Sequence, residues 1–142
     1  MLLLQSFCRG SGALYCAIID MHGFVLASEA DKAINNMIKR KILKLYKSIA
    51  DVKIIDFNHR IEMITLIEDF DVALKGFLML MKEFSSKETL IAIIPPWLNI
   101  RNVLSDYREL LNKLSNYFTE QGHQDATQYI SIEPEKVIKN GI

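Results

Sequence analysis

Leu14-Tyr15-Cys16-Ala17-Ile18-Ile19-Asp20-Met21-His22-Gly23-Phe24-Val25-Leu26-Ala27-Ser28 is the stretch on which the fold turns. Its first six residues are all apolar, which suits a strand covered on both faces near the middle of a sheet. Asp20 to Gly23 then carry turn chemistry. An Asp side chain caps the backbone just ahead of it, and Gly23 supplies the positive φ that tight reversals require. Phe24 to Ser28 returns as the second strand of a hairpin.

Outward from the hairpin, Asp31 stands in N-cap position for a helix running to about Asp51, through a stretch, Lys32 to Ala50, with neither Gly nor Pro. At about 100° per residue, Ile34, Ile38, Ile42, Leu45, Ile49 and Val52 fall on one stripe, which faces the sheet. Leu43, Tyr46 and Ala50 lie beside it. The apolar arc then covers nearly half the circumference, wider than one sheet contact requires, and predicts a second contact surface on this helix. Arg40, Lys41, Lys44 and Lys47 occupy the opposite side, with Lys39 at its margin. Two readings of that basic face stand: a solvated surface, or a contact for an acidic partner.

Beyond the helix, Lys53–Phe57, Ile61–Glu68 and Val72–Lys82 read as three successive strands of a meander, separated by Asn58-His59-Arg60 and Asp69-Phe70-Asp71. Ser85-Ser86-Lys87-Glu88 closes it. Thr89 to Ile94 follows as a last strand in preference to a helical turn, ended by Pro95-Pro96. From Asn99, apolar residues recur at spacings of three and four: Ile100, Val103, Leu104, Tyr107, Leu110, Leu111, Leu114, Tyr117 and Phe118, an amphipathic helix. Periodicity is lost from Gln121 onward. The expectation is one α+β domain over residues 1–120 and a tail over 121–142. Its single antiparallel sheet has five strands, or six if Lys53–Phe57 and Thr89–Ile94 both contribute, with a long central helix after the first hairpin and a C-terminal helix.

Composition narrows the function classes. Half of the 142 residues are apolar, enough for one domain with its own core. Lys plus Arg number 17 against 17 Asp plus Glu, so no net field recruits nucleic acid. No uncharged apolar stretch approaches the roughly 20 residues that span a bilayer, and the apolar run in Met1 to Arg9 is short for a signal-peptide core. Cys8 and Cys16 can pair only if the chain turns back sharply between them; they are read as reduced thiols, which places the protein in the cytoplasm.

Little in the chain advertises chemistry. His22, His59 and His123 stand apart, without companions at metal-ligand spacing. Glu68-Asp69-Phe70-Asp71 lacks the ligand pattern of a calcium loop. Gly10-Ser11-Gly12 precedes a strand, whereas phosphate-cradling glycines follow one. Cys16 sits in an apolar strand, where a thiolate is penalised. No catalytic residue, metal or cofactor is therefore expected. Trp97 is either a lid over the core or an interface anchor, and Met79 and Met81 share one strand face as core filling.

Ala17 to Ser28, with its Asp-x-x-Gly hairpin and a long helix next, resembles the opening of Roadblock/dynein light-chain domains, and the later order of strands and closing helix is similar over Leu14 to Phe118. Two departures stand out. Roadblock domains have a helix ahead of the first strand, where this chain has only a short segment broken by Gly10 and Gly12, and a sixth strand is one too many. Longin domains begin directly with the hairpin and are the competing assignment. The Roadblock resemblance implies a non-catalytic dimeric scaffold or regulator for a small Ras-like GTPase, pairing with itself or a paralogous chain through the central helix and a neighbouring strand. On this chain the contacts would be Met37, Leu43, Tyr46 and Ala50, while Lys39, Arg40, Lys44 and Lys47 meet an acidic partner. The longin alternative implies an adaptor in a membrane-traffic-type assembly, with peripheral membrane contact.

Overall fold

The computed structural model describes residues 1–53, 62–68, 74–85 and 87–121. It opens with a helix that the residue pattern did not announce, α1 (Leu2–Ser11). Met1 offers no side-chain cap, and burial holds the helix instead: Leu4, Phe7 and Cys8, three and four residues apart, turn inward. α1 ends at Gly12, whose φ of 84° is left-handed and whose N–H donates to the Cys8 carbonyl at 3.1 Å. A Cβ there would meet Leu98 Cδ1 at 3.2 Å, so the turn favours glycine twice over.

That reversal feeds β1 (Tyr15–Asp20), which pairs antiparallel with β2 (Val25–Ala30). The hairpin forms as its sequence predicts. Asp20 Oδ1 accepts the backbone N–H groups of both His22 and Phe24 at 2.9 Å, and Gly23 has φ 86°. One bulge, between Ile18 and Ile19, shifts the register.

The next helix, α2 (Asn36–Lys53), begins later than expected. Asp31 caps a turn, not the helix: its Oδ1 accepts Ala33 N–H at 2.9 Å and its carbonyl accepts Ile34 N–H at 3.0 Å. Asn35 is the helix cap, with Oδ1 accepting Ile38 N–H at 2.9 Å. At the other end Lys53 closes α2 instead of opening a strand, and the remainder of the expected Lys53–Phe57 strand lies outside the described residues.

β3 (Met63–Leu66), β4 (Leu78–Glu83) and β5 (Glu88–Ile94) form the meander. The strand expected from Val72 starts only at Leu78, because Leu74 to Phe77 turn: Gly76, at φ 87°, donates to the Ile67 carbonyl at 2.7 Å. Val72 itself is outside the described residues. Ser85 joins β4 to β5 by bonding the Glu88 carboxylate. The final helix, α3 (Ile100–Gln121), starts as predicted and takes in Gln121; residues 122–142 of the expected tail lie outside the described residues.

The five strands lie in the order β2-β1-β5-β4-β3, every neighbour antiparallel. β5 is central and buried throughout, and β1 is buried from Tyr15 to Ile19, as an uninterrupted apolar run requires. Alternation divides the core into two layers. Cys16, Ile18, Leu80, Leu90, Ala92 and Ile94 face α1 and α3. Tyr15, Ala17, Ile19, Met79, Met81, Ile91 and Ile93 face α2 through Ile42 and Tyr46. The molecule is α+β, helices on both faces of one sheet.

Candidate partner interface

α2 carries the predicted interface residues, and the structure separates them. Met37 is 56% exposed, Leu43 is half-buried against the α2-side core, and Ala50 is placed by its backbone, its side chain lying outside the described residues. Tyr46 turns inward. It is 7% exposed, packs in its own chain's core and hydrogen-bonds with the Thr89 side chain on β5. Burial pushes its hydroxyl pKa upward. At this position the apolar arc packs against residues of its own chain's sheet.

The basic residues divide more favourably. Arg40, Lys44 and Lys47 are exposed and Lys39 is half-buried. Met37, Arg40, Lys44 and Lys47 follow one another by three, four and three residues and so share a face of α2. The stripe runs up to the first hairpin: a Cβ added at Gly23 would lie 3.0 Å from Lys47 Cε. There Met21 and Phe24 present exposed apolar side chains, 65% and 68% accessible.

A second feature was not singled out from the residue pattern. Ile67 donates its N–H to the Phe77 carbonyl at 2.9 Å and accepts Gly76 N–H through its own carbonyl, so both its backbone groups face inward. With a period of two, Thr65 and Met63 do likewise, and the N–H and C=O of Ile64 and Leu66 point away from β4. Among the described residues no strand takes them up. Ile64 and Leu66 are also 47% and 51% exposed, on the face that carries α3. Among the described residues β3 thus presents an open, apolar edge of the kind that adds a strand from another chain. The even spacing of Ile64 and Leu66 was visible beforehand; which edge stayed open depends on strand order.

Arg108 of α3 reaches back to the start of this strand, with its guanidinium 2.7 Å from the Glu62 carboxylate, which raises the Arg108 pKa. Trp97 is 73% exposed and stands edge-on to Phe77 at 5.7 Å. Among the described residues, no three His, Cys, Asp or Glu side chains gather where a metal could sit, and no helix is long and apolar enough to cross a membrane.

Solved structures with this arrangement exist. A Myxococcus xanthus MglB structure superposes with a TM-score of 0.65 at 11% identity, covering 84% of this chain and 94% of its own. An MglB in a tetrameric arrangement gives 0.65 at 17% identity, covering 84% and 87%. A Roadblock/LC7 domain from Streptomyces avermitilis gives 0.57 at 9%, covering 83% and 96%. The chain has the Roadblock fold. α1 supplies the helix that the Roadblock resemblance calls for ahead of the first strand, and among the described residues the sheet has five strands. No protein-family profile and no curated protein sequence matches the chain.

Proposed function

We propose that this chain is a non-catalytic scaffold or regulator of a small Ras-like GTPase, and that it works as a dimer with itself or a paralogous Roadblock-fold chain. The observation that carries the reading is the open β3 edge, with Ile64 and Leu66 exposed beside outward-facing backbone groups. Edge-to-edge pairing would satisfy those groups and cover apolar side chains, worth roughly 1 kcal/mol for each half-exposed residue buried. Leu43, with Ala50 further along, supplies the α2 part of the same interface, and Met37 stands nearby on the margin of the basic face. The Roadblock likeness in the hairpin and in the fold supports the pairing and the GTPase partner, and a cytoplasmic location goes with both.

Lys39, Arg40, Lys44 and Lys47 are the partner-facing charges in this reading, steering an acidic surface onto α2. The experiment is a binding titration against the small Ras-like GTPases encoded in the same genome, each loaded with a non-hydrolysable GTP analogue. Lys44→Glu with Lys47→Glu is expected to weaken binding by roughly tenfold or more and to leave the fold intact, since both side chains are exposed. Equal binding by the variant, or no binding by any loaded GTPase, counts against the proposal.

A further inference from the structure

We propose that Cys8 and Cys16 form a reversible intramolecular disulfide, a thiol-oxidation site that staples α1 to the first strand of the sheet. The two sulfur atoms lie 3.1 Å apart across the contact between α1 and β1. Both cysteines are free and buried. The condition for their pairing is a sharp return of the chain between them, and the left-handed turn at Gly12 provides it. A disulfide bond is about 2.05 Å long, so closure needs an approach of roughly 1 Å, within reach of small side-chain adjustments.

Access is one-sided. Cys8 lines an open cleft of about 520 Å³ between the end of α1 and β2, together with Arg9, Glu29, Asp31 and Lys32, whereas Cys16 is fully enclosed. The Cys16 thiol pKa is pushed well up by its hydrogen bond to the Cys8 sulfur and by burial, so Cys8 is the first to react. The oxidant is a small-molecule disulfide. Cys8 thiolate attacks one of its sulfurs, forming a mixed disulfide and releasing one thiolate. Cys16 then gives up its proton and attacks Cys8 Sγ, expelling the second thiolate. Two protein thiols lose two electrons, and one small disulfide becomes two thiols. The product ties α1, whose Leu4 and Phe7 pack into the core, covalently to a central strand.

The test incubates the full-length native protein with oxidised glutathione, quenches with acid, unfolds it, alkylates free thiols and measures intact mass. The expected product has lost two hydrogens, takes up no alkylating reagent and returns to the dithiol on reduction. Its Tm should rise by roughly 5 °C, because the unfolded chain is constrained. Slower amide exchange within α1 should accompany it. Full alkylation of both cysteines, a glutathione adduct that stops at Cys8, or a bridge between two chains would each overturn the proposal. Cys16→Ser provides the control: it should accumulate that same mixed disulfide at Cys8, and failure to do so would show that the cleft does not admit the oxidant. The outcome is independent of the GTPase reading.

Discussion

The Tyr107 hydroxyl, fully enclosed between its own helix α3 and the sheet, donates to the Leu90 carbonyl of the central strand at 2.7 Å. Burial, reinforced by the Glu62 charge, lifts its pKa well above the ordinary tyrosine range. A group whose folded pKa is raised contributes stability that is complete below its unfolded pKa, about 10 for tyrosine, and is lost as pH climbs toward the folded value. Chemical denaturation should therefore show stability falling above about pH 10. Tyr107→Phe should cost about 1 kcal/mol at neutral pH and flatten that decline. Tyr46 makes a different point. A helical wheel places it beside the core stripe and leaves its destination open, because the wheel carries no information on how wide the sheet beneath is. With Tyr46 enclosed by its own chain, Tyr46→Asp would bury an unpaired carboxylate and should destabilise the fold by roughly 3 kcal/mol or more in urea titration. A folded variant of normal stability would return Tyr46 to the surface.

At the scale of elements, what could be read early is what local chemistry specifies. Asp20 and Gly23 dictate the hairpin through short-range bonds and a positive φ, and the three-and-four spacing from Ile100 to Phe118 dictates α3. α1 escaped because nothing local defines it: its start lacks a side-chain cap, Gly10 weakens it, and Leu4, Phe7 and Cys8 gain only from a sheet and α3 that fold around them. The start of α2 was misplaced because Asp31 and Asn35 both bear capping side chains, and only geometry tells which caps a turn. The open edge of β3 is the candidate interface least legible from residues, since edge position is a property of strand order. It also gives the cleanest element-scale test. The Ile64 N–H points outward, so Ile64→Pro removes a donor for a partner strand and no ladder bond within the chain. Circular dichroism should remain that of the wild type while self-association is lost. A drop in folded content would show that Ile64 faces β4 instead.

For the whole molecule, the two faces of the sheet have different tasks. α1 and α3 close one side over the larger core, and Arg108 bound to Glu62 ties α3 to the approach to β3. α2 closes the other and carries the basic stripe toward the exposed Met21 and Phe24 of the hairpin. Charge is balanced overall yet concentrated on α2, so the molecule has no global field and one local one. Pairing through β3 would continue the five-stranded sheet into a second copy and set two α2 helices side by side, forming one joint basic surface from two half-surfaces. Dimerisation is thus the step on which the scaffold reading depends. Sedimentation equilibrium of the wild-type chain at micromolar concentration tests it most directly: a species of twice 16.3 kDa is expected, reduced to 16.3 kDa by Ile64→Pro. A wild type that sediments as a 16.3 kDa monomer across that range, or a dimer that Ile64→Pro leaves untouched, would contradict it.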